Sequence, residues 1–135
     1  MRYRVVTHGG SRMKSAALRA ACDDYLSRLK HYTKIEERDV LPKEESRFIA
    51  LDRRGESWTS EQLADLTARW EMEGRDVTFA IGDADGLPQD VVQQAERRWS
   101  LGPLTLPHEL ARVIVYEQLY RAYTIRRGEK YHRGS

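Results

Sequence analysis

A glutamate and an arginine one helical turn apart, inside an apolar segment, are the first candidates for chemistry. Glu117 and Arg121 lie within the run VIVYEQLYRAYTI. An ion pair removed from water is a poor source of stability, whereas a fixed guanidinium can hold a phosphate or a negative charge that develops during a reaction. Two interpretations stay open: the pair fixes the helix or an interface between copies, or Arg121 serves an anion.

The segment that follows this pair is basic and aromatic. From Arg121 onward, five Lys or Arg residues stand against one acid, Glu129, although the net charge of the whole chain is only +2. The basic residues are Arg121, Arg126, Arg127, Lys130 and Arg133, with Tyr131 and His132 among them. Such a segment is typical of contacts to nucleic-acid phosphates, but also of a solvated chain end.

The helix that carries the pair is apolar on nearly every side. At about 100° per residue, apolar side chains between Leu110 and Tyr123 occupy almost every direction. A helix that is apolar all round is buried all round, and one sheet can cover only one side of it. We therefore expect the other side to contact a second copy of the chain, in a homodimer.

The rest of the chain alternates strand and helix patterns. Strands are predicted at residues 2–7, 35–40, 47–52 and 77–81. Helices are predicted at residues 15–31, 59–74 and 88–99 and from Pro107 onward, with a turn at the sequence DRRGES, residues 52–57. This alternation predicts an α/β fold with a mainly parallel sheet, helices on both faces, and one domain over residues 1–135.

Three segments of the predicted fold are placed to bind a ligand. Ligands of open α/β sheets bind in loops beyond the carboxyl ends of the strands. Residues 51–55, 82–87 and 101–106 are such loops. The sequence therefore predicts one site built from three loops.

Composition excludes several classes of protein. No apolar run is long enough to span a membrane and no signal peptide is recognisable, so the cytoplasm is the expected compartment. The single Cys22 has no partner for a disulfide and recurs with apolar residues at helical spacing, which favours an inert core thiol. The sequence contains no G-x-S-x-G elbow, Walker sequence or G-x-G-x-x-G, which argues against a small α/β hydrolase or nucleotide-binding domain.

Three segments resemble one enzyme family. The C-terminal run WSLGPLTLPHELARVIVYEQLYRAYTIRRGEKYHR, from Trp99 to Arg133, and the segments LDRRGESWTSEQLA and GRDVTFAIGDADGL are similar to the RlmH family. Its members are SPOUT-class methyltransferases that methylate the ring N3 of a pseudouridine in large-subunit (23S) ribosomal RNA. The likeness is specific from Phe48 to Arg133, and weaker before it.

The resemblance implies a fold and a cofactor. It implies an α/β homodimer whose C-terminal segment forms a trefoil knot, with S-adenosylmethionine bound at the knot and assembled ribosomes as the substrate. By motif match, the cofactor pocket is lined by Leu51, Gly82, Leu101, Gly102, Pro103, Leu104, Thr105 and Leu106. Glycines and backbone amides at these positions allow a close approach to the cofactor.

The resemblance also implies roles for residues near the C-terminus. The catalytic candidates are Glu117, Arg121, Tyr131, His132 and Arg133. Arg121 would steady negative charge on the ring, Tyr131 would stack on or hydrogen-bond the flipped-out base, and His132 and Arg133 would hold phosphate or help proton transfer. Arg126, Arg127 and Lys130 would anchor phosphates.

Two features depart from the family pattern. Asp83 stands where the family usually has a second glycine, and Asp tolerates positive φ better than most residues. The helix that the family has between its second and third strands is shortened here to a few residues. Because a parallel crossover needs a dozen or more residues, we expect these strands to form a hairpin or the second strand to be displaced.

Two alternatives to this function remain open. The chain could be a structured-RNA-binding module of the same fold without catalysis, or a SPOUT methyltransferase with another RNA target. The sequence DADG could suggest calcium, but the EF-hand spacing is absent, and no metal site is expected.

Overall fold

The computed structural model describes residues 1–42 and 46–131. In chain order its elements are β1 (Arg2–Thr7), α1 (Ala16–Leu29), β2 (Lys34–Arg38), β3 (Arg47–Ser57), α2 (Ser60–Glu73), β4 (Val77–Ile81), α3 (Gln89–Gln93), β5 (Arg97–Ser100) and α4 (His108–Arg126). The five strands form one sheet in the order β2-β1-β4-β3-β5, and every pairing between them is parallel. The predicted α/β class and parallel sheet are confirmed.

The helices begin and end where the sequence supplies caps. Ser15 accepts a hydrogen bond from the backbone N–H of Leu18 at 3.1 Å and starts α1. Thr59 and Gln62 form the predicted capping box at the start of α2, and Gly74 ends that helix. None of the helices in the described ranges, 1–42 and 46–131, is long and apolar enough to cross a membrane.

The two faces of the sheet are covered unequally. Successive side chains of a strand point to opposite faces, and the core lies on the face that carries Tyr3, Val5 and Phe79. There α4 lies between α1 and α2. The short α3 packs against β3, and its residue Val91 lines a cavity together with Val6 and Ala80 of the other face. Helices therefore lie on both faces, as predicted.

Cys22 is fully buried among the core residues. Burial raises the pKa of its thiol to about 11, so that the reactive thiolate is scarce at neutral pH. The predicted position of Cys22 in the core is confirmed.

Two predictions around the third and fifth strands were wrong. The helix predicted at residues 88–99 ends at Gln93, and Arg97–Ser100 forms β5. The turn predicted at residues 52–57 lies inside β3, which continues to Ser57. Both errors have one cause: β3 and β5 pair with each other, and this long-range pairing overrides the local pattern.

The shortened segment between β2 and β3 does not produce a hairpin. β2 lies at the edge of the sheet, parallel to β3 and separated from it by β1 and β4. The carboxyl end of β2 and the start of β3 are separated by three strand spacings across the sheet and by one strand length along it, a straight distance of roughly 22 Å. The eight residues 39–46 that join them can span roughly 27 Å when extended, which is sufficient. The second alternative, a displaced second strand, is the one found.

Candidate functional site

A cleft of about 210 Å³ opens where the carboxyl ends of β4 and β5 meet the middle of β3. Its lining includes most of the residues predicted to bind a cofactor: Leu51, Gly82, Leu101, Gly102, Leu104, Thr105 and Leu106. Pro103 lies in the same loop, between Gly102 and Leu104, and is exposed. The structure thus brings the three predicted loops together at one place.

On the β3 side, the cleft is bordered by a large bulge in the strand. Leu51 and Glu56 both pair with Trp99, so the four residues between them, 52–55, are looped out of the ladder. The guanidinium of Arg53 donates a hydrogen bond to the hydroxyl of Thr105 at 2.6 Å, which ties the bulge to the loop after β5. Trp99 lines the cleft and stacks on Trp58 with 5.2 Å between ring centroids.

The loop after β4 is tightly closed, and Gly82 is the residue that permits it. A Cβ at position 82 would lie 2.5–2.6 Å from backbone atoms of Gly86 and Leu87. The tolerance of Asp for positive φ is not used at Asp83, because the left-handed residue of this turn is Gly86, with φ 81°. Asp83 instead accepts a hydrogen bond from the backbone N–H of Asp85 at 2.9 Å, which stabilises the turn.

Further residues that line the cleft include Asp52, Arg53, Trp99, His108 and Ala111. Asp52 and Arg53 belong to the predicted loop 51–55, and His108, at the start of α4, lies in the cleft wall, whereas sequence reasoning missed Trp99 and Ala111. Asp52 follows Leu51 directly in the segment LDRRG, and its position at the cleft agrees with the predicted loop 51–55. The burial of its carboxylate could not be predicted, because that depends on the pairing of β3 with β5.

Three of the five catalytic candidates, Glu117, Arg121 and Tyr131, lie together at the other end of α4. The Nε of Arg121 donates to both carboxylate oxygens of Glu117, at 3.1 and 3.2 Å. The guanidinium of Arg121 lies 4.9 Å from the centre of the Tyr131 ring, and the hydroxyls of Tyr131 and Tyr25 are 3.1 Å apart. His132 and Arg133 lie outside the described residues.

The environment of this cluster fixes its protonation. The hydrogen bond from Arg121 to Glu117 raises the pKa of the guanidinium further above its ordinary value. Burial, reinforced by the hydrogen bond with Tyr25, raises the pKa of Tyr131. At neutral pH, Arg121 is a permanent cation and Tyr131 remains a phenol that can donate a hydrogen bond or stack, but cannot act as a base.

The three predicted phosphate anchors have different surroundings. Arg126 forms an ion pair with Glu71 at 2.8 Å and lies over the ring of Tyr123. The guanidinium of Arg127 lies 4.7 Å from the centre of the Tyr32 ring, and Lys130 is exposed. All three residues are exposed, and Arg126 and Arg127 also make contacts within the chain.

The N-terminal half of α4 carries an arginine that sequence reasoning also missed. Arg112 is buried, donates to the backbone carbonyl of Ser11 at 2.7 Å and pairs with Glu37. The hydroxyl of Tyr116 donates to the same carboxylate at 2.6 Å. These contacts attach α4 to β2 and to the loop after β1, and they keep the helix in place beside the cleft.

The family to which the chain belongs follows from sequence comparison. The family model described as "Predicted SPOUT methyltransferase" matches residues 36–132. The chain belongs to the SPOUT methyltransferase family. This SPOUT methyltransferase is 41% identical over 142 residues to the ribosomal RNA large subunit methyltransferase H of Sorangium cellulosum, a match that covers 95% of this chain and 98% of that protein.

Two solved structures share the fold of this SPOUT methyltransferase. A methylase family protein from Haemophilus influenzae superposes with a TM-score of 0.66 at 14% identity, over 96% of this chain and 69% of that one. A methyltransferase from Legionella pneumophila, solved with its bound cofactor SAM, has a TM-score of 0.50 at 11% identity, over 91% of this chain and 66% of that one. At these identities the likeness concerns the fold.

Proposed function

We propose that the protein transfers a methyl group from S-adenosylmethionine to large-subunit ribosomal RNA, with the ring N3 of a pseudouridine in assembled ribosomes as the target. The observation that carries this proposal is the similarity, over nearly the full length of both chains, to a protein named ribosomal RNA large subunit methyltransferase H. Assembled ribosomes as substrate imply the cytoplasm, and the resemblance implies a single domain with a C-terminal trefoil knot.

The cleft has the chemistry that such a cofactor requires. Its apolar walls suit adenine and the methionine carbons, and Gly82 and the 101–106 loop let backbone groups approach closely. Oδ2 of Asp52 is buried there without a hydrogen-bond partner among the described residues, so the cleft holds an acceptor for a ligand donor. We assign cofactor binding to the eight residues that the motif match named.

The chain positions the base and stabilises its charge. When bound, S-adenosylmethionine supplies a methyl group activated by its sulfonium. N3 must lose a weakly acidic proton to attack it, and Arg121 is the permanent cation that can stabilise the resulting negative charge. Glu117 holds the guanidinium in place, and the phenol of Tyr131 stacks on or donates to the base.

The remaining candidates contact RNA phosphates. We assign this role to Arg126, Arg127 and Lys130, and to His132 and Arg133 beyond the described residues, the last two also as candidates for proton transfer. A salt-dependent affinity is expected, because each neutralised phosphate releases counterions.

A complete site needs two copies of the chain. Ala111 borders the cleft, and Arg121 is ten residues further along the same helix, roughly 15 Å along its axis. One chain therefore cannot bring its own Arg121 to its own cleft. A twofold axis perpendicular to α4 makes the two copies of the helix antiparallel, so that each Arg121 approaches the cleft of the other copy.

The exposed side of α4 suits this dimer. Leu110 and Ile114 are only partly buried and share one side of the helix with Glu117 and Arg121. An apolar strip beside a charged pair is a self-complementary surface that a second copy can cover. We therefore retain the homodimer as part of the proposal, and sedimentation velocity that finds a stable monomer at micromolar concentration would contradict it.

The test of the proposed function is transfer of labelled methyl from S-adenosylmethionine to ribosomes that lack the modification. A matched sample with uridine in place of the pseudouridine controls for the base. We expect incorporation only with pseudouridine. Incorporation into neither sample, with RNA binding retained, would indicate the RNA-binding module instead, and incorporation at another nucleotide would indicate a different RNA target.

A further inference from the structure

The first residue of the β3 bulge is a buried carboxylate with one oxygen unused. The side chain of Asp52 is 11% exposed, and its Oδ2 has no hydrogen-bond partner among the described residues. Its Oδ1 accepts the backbone N–H of Arg54 at 3.1 Å. A buried carboxylate oxygen without a donor is costly and rare, and Asp52 lines the cleft.

Two guanidinium groups lie near this carboxylate but are too far away to donate a hydrogen bond to it. The Nε of Arg54 is 3.8 Å from Oδ1, and the Nη1 of Arg98 is 3.9 Å from Oδ2. These distances allow Coulomb attraction but exceed a hydrogen bond. The negative charge of Asp52 is therefore largely balanced, while the acceptor capacity of Oδ2 remains open.

The partner of Oδ2 must then be a donor inside the cleft, and the charge balance favours a neutral one. S-Adenosylmethionine offers two kinds of donor, the ribose hydroxyls and the α-ammonium. Arg54 and Arg98 already supply positive charge, so a further cation at this position would be repelled. A hydroxyl is not subject to this repulsion, and a hydrogen bond from a hydroxyl to a carboxylate is short and strong.

We propose that Oδ2 of Asp52 accepts a hydrogen bond from a ribose hydroxyl of the cofactor, an inference that rests on the proposed function. Asp52 is then a cofactor-binding residue that selects ribose over deoxyribose. The hydrogen bond from Arg53 to Thr105 holds the bulge against the loop after β5, so that the carboxylate is in position before the cofactor binds.

Calorimetric titration with S-adenosylhomocysteine, with its 2′-deoxy and 3′-deoxy analogues and with an analogue lacking the α-amino group tests the proposal. The variant is Asp52→Asn, which keeps the shape of the side chain. Asp85→Asn is the matched control, because Asp85 is exposed in the adjacent loop, outside the cleft lining. Thermal melting followed by circular dichroism checks that both variants are folded.

We expect Asp52→Asn to bind S-adenosylhomocysteine about 10- to 100-fold more weakly than the wild type, and Asp85→Asn to bind it within about twofold. We expect the wild type to bind one of the two deoxy analogues more weakly than S-adenosylhomocysteine by a similar factor. Asp52→Asn should bind that analogue only slightly more weakly than it binds S-adenosylhomocysteine. The two losses are then not additive, as required for groups in contact.

Equal affinity of the wild type for S-adenosylhomocysteine and both deoxy analogues would overturn the proposal, and this result does not depend on the folding of a variant. If the loss of affinity in Asp52→Asn were non-additive with removal of the α-amino group, and not with removal of a hydroxyl, the proposal would be overturned and the α-ammonium would be the partner of Asp52. A wild type that binds none of the four compounds would overturn the proposed function as well, which separates the two failures.

Discussion

The N-terminal end of α4 borders an apolar cleft, whereas its C-terminal end carries stacked aromatic and basic side chains. The cleft is shaped by the backbone: a bulge in β3, a turn closed at Gly82, and the loop 101–106. The other end is held by side chains, with Arg121 over Tyr131 and the hydroxyls of Tyr131 and Tyr25 in contact. Changes at the first end should alter cofactor affinity, and changes at the second should alter turnover.

The largest effect is expected at the C-terminal end. Arg121→Ala removes the cation proposed to stabilise the ring anion, and we expect kcat to fall about 100- to 1000-fold. The affinity for S-adenosylhomocysteine should stay within about twofold, because Arg121 is assigned to the ring of the base and not to the cofactor.

Arg28→Ala is the matched control for this variant. Arg28 also lies over tyrosine rings of the same cluster, 5.6 Å from the centre of Tyr25 and 5.5 Å from that of Tyr120. It has no proposed contact with substrate, so single-turnover rates should change little. An equal loss of rate in both variants would show that the cluster as a whole, rather than Arg121, matters.

The next largest effect is expected at the cleft. The Cβ introduced by Gly82→Ala would lie 2.5–2.6 Å from the backbone of Gly86 and Leu87. Relief of such overpacking costs roughly 1–3 kcal/mol, and the shifted loop should weaken cofactor binding about tenfold or more in calorimetry. Ala84→Ser, at an exposed position of the same loop, is the control, and unchanged binding by Gly82→Ala would contradict the importance of the closed turn.

The two variants together test whether the site is shared between chains. In a mixture of Gly82→Ala and Arg121→Ala protomers, half of the randomly formed dimers contain one chain of each variant. In each mixed dimer, one of the two sites combines the intact cleft of the Arg121→Ala chain with the intact Arg121 of the Gly82→Ala chain. We expect about a quarter of the wild-type activity to return. Activity that stays at the level of the separate variants would show that the cleft and Arg121 act within one chain.

A smaller effect concerns the stability of the α4 end. The hydrogen bond from Arg126 holds the pKa of Glu71 below its ordinary value, and the hydroxyl of Tyr123 also donates to this carboxylate, at 2.5 Å. Because the folded pKa is lowered, the contribution to stability is complete above the unfolded pKa of about 4.3 and is lost as the pH falls through the folded pKa.

We expect Glu71→Gln to lower the free energy of unfolding by roughly 0.5–1 kcal/mol at pH 7, a modest value because both side chains are partly exposed. The difference from the wild type should disappear in urea titrations at a pH low enough to protonate Glu71 in both states. Asp65→Asn, on an exposed position of the same helix, is the control. A difference that is constant from pH 7 to pH 3 would show that charge is not involved.

Much of the fold could be predicted, because local patterns and caps determine it. The helices α1, α2 and α4 follow from apolar spacing and from Ser15 and Thr59 as caps, and β4 follows from its apolar run. The position of the site at three loops could also be predicted, because the carboxyl ends of parallel strands lie at the same edge of a sheet.

The errors arose where long-range pairing decides the structure. Val92, Ala95 and Trp99 recur at helical spacing, yet Trp99 belongs to a strand because Leu51 and Glu56 pair with it. The same pairing loops out residues 52–55 and buries Asp52. The spacing of residues along the chain contains no information about a contact between segments more than 40 positions apart.

The strand order has a consequence for folding. β1, α1 and β2 form one parallel unit, and β3, α2 and β4 form another; β1 and β4 then join them. Each unit pairs residues 30–32 positions apart, as Arg2 with Lys34 and Arg47 with Val77, whereas the joint between the units brings together residues more than 70 positions apart, which is entropically slower. The docking of the two halves is therefore the expected late step. The walls of the cleft come from β3 onward, but α4, which borders it, is attached to β2 and to the loop after β1. The appearance of cofactor binding during refolding would therefore report the docking of the two units rather than the formation of either one alone.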